Sequence, residues 1–258
     1  MSDEQTQPKA GHDPITVMAI AAATACIAAF AHEAAGHGGA CLALGGRITQ
    51  LTSVYFHCKP GDAWIAAGGP IGNLVAFALI WLGLRALPVG KPHLRLMLLL
   101  LMAFSIFWAA GYLPYSMWRH DGDYYFAAKD LIPGPEMVWH WGGIILGVVL
   151  YLLGAAAVTR AGAAWADQAA GTRMRRLGWL AGTVSAVAAA ALYAPDRKEA
   201  MAQAFLEVGA ASLPLLLALR SRAPGGVAEA PVGRSLPWIA VSLAIFAAFA
   251  ATLGRGLP

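Results

Sequence analysis

The chain has 258 residues, 59% of them hydrophobic and only 12% charged. Soluble domains carry about 25% charged residues, so the composition excludes an ordinary water-soluble globule and points to a lipid bilayer. The net charge of +4 is divided among short polar segments between apolar runs, as in membrane loops, and no nucleic-acid partner is expected.

Residues 1–14 read as a polar tail with more acid than base. The apolar run that follows is too long for the core of a secretory signal, so it is expected to be retained as a first span. A helix needs about 20 apolar residues to cross a bilayer. On that measure the spans are 15–44, 63–84, 94–115, 139–158, 177–193, 200–219 and 237–253, the fifth being short and Ala-rich. Residues 47–58 are rich in Thr, Val, Tyr and Ile and read as a strand or hairpin. Residues 160–176 form a basic, partly helical loop, and 220–235 a flexible one. The expected fold is an all-α polytopic membrane protein of six to seven transmembrane helices, with a short β-strand or hairpin between helices 1 and 2. Residues 15–130 form its core and 131–258 add further membrane helices. Lys and Arg collect on the side of the N-terminus, which favours a cytoplasmic N-terminus. The three cysteines, Cys26, Cys41 and Cys58, stand alone and imply no disulfide framework.

Near the end of the first span comes FAHEAAGHGG. Ionisable residues inside a span cost several kcal/mol on the order of magnitude and mark functional sites. H-E-x-x-H on a helix offers two zinc ligands and a general base, but here His32 and His37 are five apart. On a regular helix they diverge by roughly 140°. A π-bulge, eased by Gly36, would bring both histidines to one metal and leave Glu33 as base. In a regular helix, Glu33 and His37 would bind the metal with His32 behind them. The residues of 66–73, AAGGPIGN, and of 111–123, GYLPYSMWRHDGD, emerge on the same side as His37 when helices are counted. Asn73, Asp121 and Asp123 therefore join the histidines at one face, and a carboxylate is an ordinary third zinc ligand. Gly68 and Gly72 read first as close helix packing. His57, His93 and His140 read as interfacial, and Glu207 has no assigned place.

HEAAGHGGACLALGG, AGGPIGN and GYLPYSMWRHDGD, in this order, resemble the site-2 protease class of intramembrane zinc metalloproteases. The resemblance covers about the first half of the chain. It implies His32 and His37 as zinc ligands, Glu33 as base, and Asp123 or Asp121 as third ligand, with Asp123 preferred because it opens a helix. It also implies that Asn73 orients the substrate backbone. The expected activity is that of a metalloendopeptidase acting on a membrane-embedded protein substrate, with Zn2+ as cofactor, in a bacterial cell membrane. The rival readings are a non-proteolytic relative or transporter, and a membrane zinc hydrolase of lipid amides.

Overall fold

Asp13 opens the first helix. Its carboxylate accepts hydrogen bonds from the Thr16 amide at 2.8 Å and the Thr16 hydroxyl at 2.7 Å. Pro14 occupies the first helical position, where no amide hydrogen is required. The helix, α1 (Pro14–Phe30), continues without a break into a π-helical segment, Ala31–Gly38, and a final turn, α2 (Gly39–Ala43). In this computed structural model the described residues are 11–257 apart from 89, 164, 166–167 and 217–228. The first ten residues of the expected polar tail, residues 217–219 of the sixth expected span and most of the loop 220–235 lie outside them.

An antiparallel hairpin follows, β1 (Arg47–Leu51) and β2 (Phe56–Lys59), with an irregularity between Ile48 and Gln50. Then come α3 (Ala63–Ala86), α4 (Pro92–Arg119), α5 (Asp123–Leu131), α6 (Glu136–Gly162) and α7 (Gln168–Ala190). The last elements are α8 (Arg197–Ala204), a second π-helical segment Phe205–Ala210, a short 3-10 turn Leu213–Leu215, and α9 (Leu236–Ala251).

Among the described residues, four helices are long and apolar enough to cross a membrane: Pro14–Ala43, Ala63–Ala86, Pro92–Arg119 and Glu136–Gly162. The apolar helix α9 is shorter, at 16 residues. The basic segment 160–176 is helical at both ends, with Arg160 closing α6 and Arg173, Arg175 and Arg176 inside α7.

Burial separates centre from periphery. The apolar stretches of the first helix and of α4 are 67% and 78% buried, those of α3 and α6 only 28% and 17%. Small side chains let helices approach closely. The first helix supplies them, with Ala21, Ala25 and Ala28 fully or almost fully buried. Gly178 and Gly182 of α7 lie against Leu100 and Phe104 of α4, and Gly147 and Gly154 of α6 lie against Pro114 and Ile106.

Hydrogen bonds fix two opposite faces. At one, Asp13 N–H donates to the Val232 carbonyl, and Arg95 Nε donates to Glu229 at 2.9 Å. At the other, Leu51 of β1 exchanges both backbone bonds with Leu257. Helices α1 and α9 therefore run the same way, from the first face to the second, and the hairpin sits on the second.

The cysteines depart from the expectation. Cys41, in α2, and Cys58, in β2, form a disulfide with Cα atoms 6.0 Å apart, and only Cys26 is free. Seventeen residues separate the pair. The turn through Gly45 and Gly46 folds the hairpin back over the helix end, and sequence spacing does not encode that meeting. Gly45 has φ +74°, which favours glycine.

Candidate metal centre

The π-helical segment resolves the five-residue spacing. Hydrogen bonding from i to i+5 brings residues five apart to one face, so His32 and His37 both turn inward, each almost fully buried. Their Nε2 atoms are 3.3 Å apart. Helix α3 makes this possible. Gly36 packs against the backbone of Gly68 and Gly69, and Gly72 against the Ala31 carbonyl. A Cβ on Gly69 would fall on the ring nitrogens of both histidines. The glycines of α3 thus pack helices closely, as their spacing implies, and one of them also makes room for the site.

Asp123 arrives from the far end of α4. His120 ends that helix in the left-handed region, at φ 55°. Ser116 then ties the turn down: its hydroxyl donates to the Asp121 carbonyl at 2.5 Å and accepts from the Tyr125 amide at 3.0 Å. Gly122, at φ +83°, has the Tyr112 hydroxyl where a side chain would be. The Asp123 amide donates to that hydroxyl at 3.3 Å. Asp123 Oδ2 is thereby held 3.1 Å from His32 Nε2 and 3.3 Å from His37 Nε2. Asp121 does not join them. It is exposed, and its Oδ1 accepts the Gly122 amide at 2.8 Å.

His32, His37 and Asp123 form a group that could hold a metal ion. Tetrahedral zinc with bonds of about 2.0–2.2 Å to nitrogen and oxygen sets its ligand atoms roughly 3.3–3.5 Å apart. Two of the observed separations, both 3.3 Å, fall at the short end of that range, and the third, 3.1 Å, is slightly shorter. The outer ring nitrogens fit as well. His37 Nδ1–H donates to the Ile65 carbonyl at 2.6 Å, which leaves Nε2 as the free lone pair. His32 Nδ1 lies 3.2 Å from the Asn73 amide nitrogen, while Asn73 Oδ1 is buried without a partner among the described residues. A half-turn of that amide places its carbonyl oxygen where it accepts from His32 Nδ1–H. His32 also stacks on Trp108 at 4.4 Å between ring centres, and His37 on Phe56 at 5.4 Å.

His32, His37 and Asp123 line a cavity of about 390 Å³, together with Glu33, Tyr112, Glu207 and residues of β2. Glu33 is buried, and its Oε2 has no hydrogen-bond partner among the described residues. The lining carries four carboxyl side chains, Glu33, Asp62, Asp123 and Glu207, and neither Lys nor Arg.

The structure places Asn73 behind His32, fully buried and outside the lining of the cavity. It brings His57 and Glu207 to the cavity, whereas His140 lies elsewhere, stacked on His120. Sequence reasoning missed the roles of Tyr112, Trp108, Phe56 and Gly69, since an aromatic or a glycine in an apolar segment has no distinctive pattern. Comparison of the chain with family models, curated proteins and solved structures finds no match.

Proposed function

We propose that the chain is a multi-pass membrane zinc metalloendopeptidase of the site-2 protease kind, cutting membrane-embedded protein substrates. On this reading the polypeptide crosses the bilayer six to seven times. Segment α7, the α8 region and α9 would supply the spans beyond the four long apolar helices. The reading is carried by one observation: three nitrogen and oxygen donor atoms 3.1–3.3 Å apart share a cavity with a glutamate whose Oε2 has no partner among the described residues.

His32, His37 and Asp123 would hold the zinc. Bound there, it would supply Lewis-acid polarisation of the scissile carbonyl and a water acidified toward a pKa of about 7. Glu33 takes the proton of the attacking water at its carboxylate and returns it to the amine nitrogen as the C–N bond breaks. Asn73 and the Ile65 carbonyl keep both imidazoles oriented, and Trp108 and Phe56 fix the ring planes. Tyr112 fixes the backbone from which Asp123 projects.

A helical substrate hides its amides within itself and must be unwound to be cut. Strand β2 supports strand addition as the means. It contributes Phe56, His57 and Cys58 to the cavity lining, and β1 covers only one of its edges. An extended substrate paired to the other edge would exchange helical backbone bonds for sheet bonds beside the metal ligands.

The test uses detergent-purified protein and dye-quenched unfolded casein as a general substrate. Wild type is expected to hold about one zinc per chain and to cleave. Glu33→Gln is expected to keep the metal and lose cleavage, and cleavage surviving that change rejects Glu33 as the base.

A further inference from the structure

Glu207 stands at a junction that the proposed chemistry leaves unexplained. It lies on the second π-helical segment, Phe205–Ala210, and borders the metal cavity. It also borders a second groove of about 340 Å³, between α4, α6 and that segment. Only Tyr112 and Glu207 line both. Apart from Gln203, the rest of the groove is walled mainly by apolar side chains such as Val148, Leu152, Tyr115 and Leu206, these four exposed. Helix α6, its outer wall, is the least buried of the four long apolar helices. In a bilayer such a surface faces lipid, so the groove opens sideways into the membrane and leads to Glu207.

The carboxyl at its inner end has no Lys or Arg beside it in either lining. Glu207 Oε2 is shielded from solvent and has no hydrogen-bond partner among the described residues. Glu33 and Asp123, both acidic, line the metal cavity with it. A buried polar atom without a partner is costly unless something supplies the missing donor. A ligand group that donates, above all a cationic one, would satisfy it.

Resting on the peptidase reading, we propose that this groove admits the substrate laterally and that Glu207 determines specificity. Its occupant is an apolar membrane peptide interrupted by a hydrogen-bond-donating, preferentially basic, side chain next to the bond to be cut. The apolar flanks lie along α6 and α4. The donor pairs with Glu207 and sets the register of the unwound stretch against the metal ligands.

The test measures binding, so that it stands apart from turnover. The probes are two fluorescein-labelled Leu-Ala peptides, identical except for a central Lys or Leu, titrated into micelles holding Glu33→Gln protein. The ratio of the two dissociation constants is compared with that of the Glu33→Gln, Glu207→Gln double variant, so micelle partitioning cancels. Loss of the charged pair is expected to lower the preference for Lys about tenfold, or about 1.4 kcal/mol. Retained metal in the double variant reports an intact site. An unchanged ratio overturns the proposal. A second measurement needs no change at Glu207. A benzophenone at Leu152, in the groove, is expected to cross-link the Lys peptide, and one at Leu243, exposed on α9, is not. Equal cross-linking from both positions overturns lateral entry. A preference that depends on Glu207 in a protein whose wild type cuts no peptide keeps Glu207 as a binding site for basic membrane peptides and removes the peptidase reading. An active wild type with no such preference removes the inference alone.

Discussion

His32 and His37 stand five residues apart in the chain yet hold their Nε2 atoms 3.3 Å apart, because the turn between them is π-helical. Asp123 Oδ2 closes the triangle from another helix, 91 residues away in sequence from His32. The spacing that departs from H-E-x-x-H is therefore matched by a backbone that departs from the α-helix, and the two differences cancel at the ring nitrogens.

The donor triangle predicts which changes remove metal. His32→Ala, His37→Ala and Asp123→Ala each delete one corner, and the metal content of purified protein is expected to fall from about one per chain towards zero. Asp121→Ala, which removes only an exposed turn carboxylate, is expected to leave it unchanged. Elemental analysis of the four variants checks this. Full metal in His32→Ala would mean that the histidine is not a ligand.

Gly69→Ala tests the fit of α3 against the motif. The added methyl would meet both imidazoles, so the metal is expected to be lost while helix content is kept. Gly36→Ala instead pushes against the backbone of Gly68 and Gly69. Overpacking of this kind typically costs about 1–3 kcal/mol, and a lower unfolding temperature in micelles is expected. Circular dichroism beside metal analysis separates the two effects.

Asn73 acts on His32 rather than on the cavity. Asn73→Leu leaves the outer ring nitrogen without an acceptor, and loss of such a partner typically weakens metal binding about 10- to 100-fold. Asn73→Asp keeps an acceptor and is expected to retain most of the affinity. Competition with a chromogenic chelator measures both. Equal losses in the two variants would show that the carbonyl oxygen is not what His32 requires.

The Cys41–Cys58 bond ties the end of the metal-binding helix to the strand that lines the cavity. Closing a loop of this length stabilises the fold by up to about 3 kcal/mol in the chain-entropy view. Cys41→Ser with Cys58→Ser is expected to melt earlier by a corresponding amount. Disulfides persist in oxidising compartments, so the hairpin face is expected to lie away from the cytoplasm, in agreement with the distribution of Lys and Arg. Labelling of intact cells with membrane-permeant and membrane-impermeant maleimides checks this: the impermeant reagent is expected to label both cysteines only after reduction, and labelling of both without reductant by the permeant reagent alone would place the face in the cytoplasm.

Much of the helical architecture was legible in the sequence because long apolar runs follow simple rules. Runs of about 20 apolar residues read as helices, which satisfy their backbone groups internally. Counting those helices brought Asp123 and the histidines to one face. The preference for Asp123 over Asp121 rested only on its opening a helix, whereas its position is fixed by a turn held by Ser116 and Tyr112. Counting could not pair Cys41 with Cys58, aim Asn73 at His32, or seat Glu207 between two cavities. Periodicity and polarity are properties of one segment and are written locally. Which side chains meet is settled by the packing of several segments at once, where a single glycine such as Gly69 decides how closely two helices approach.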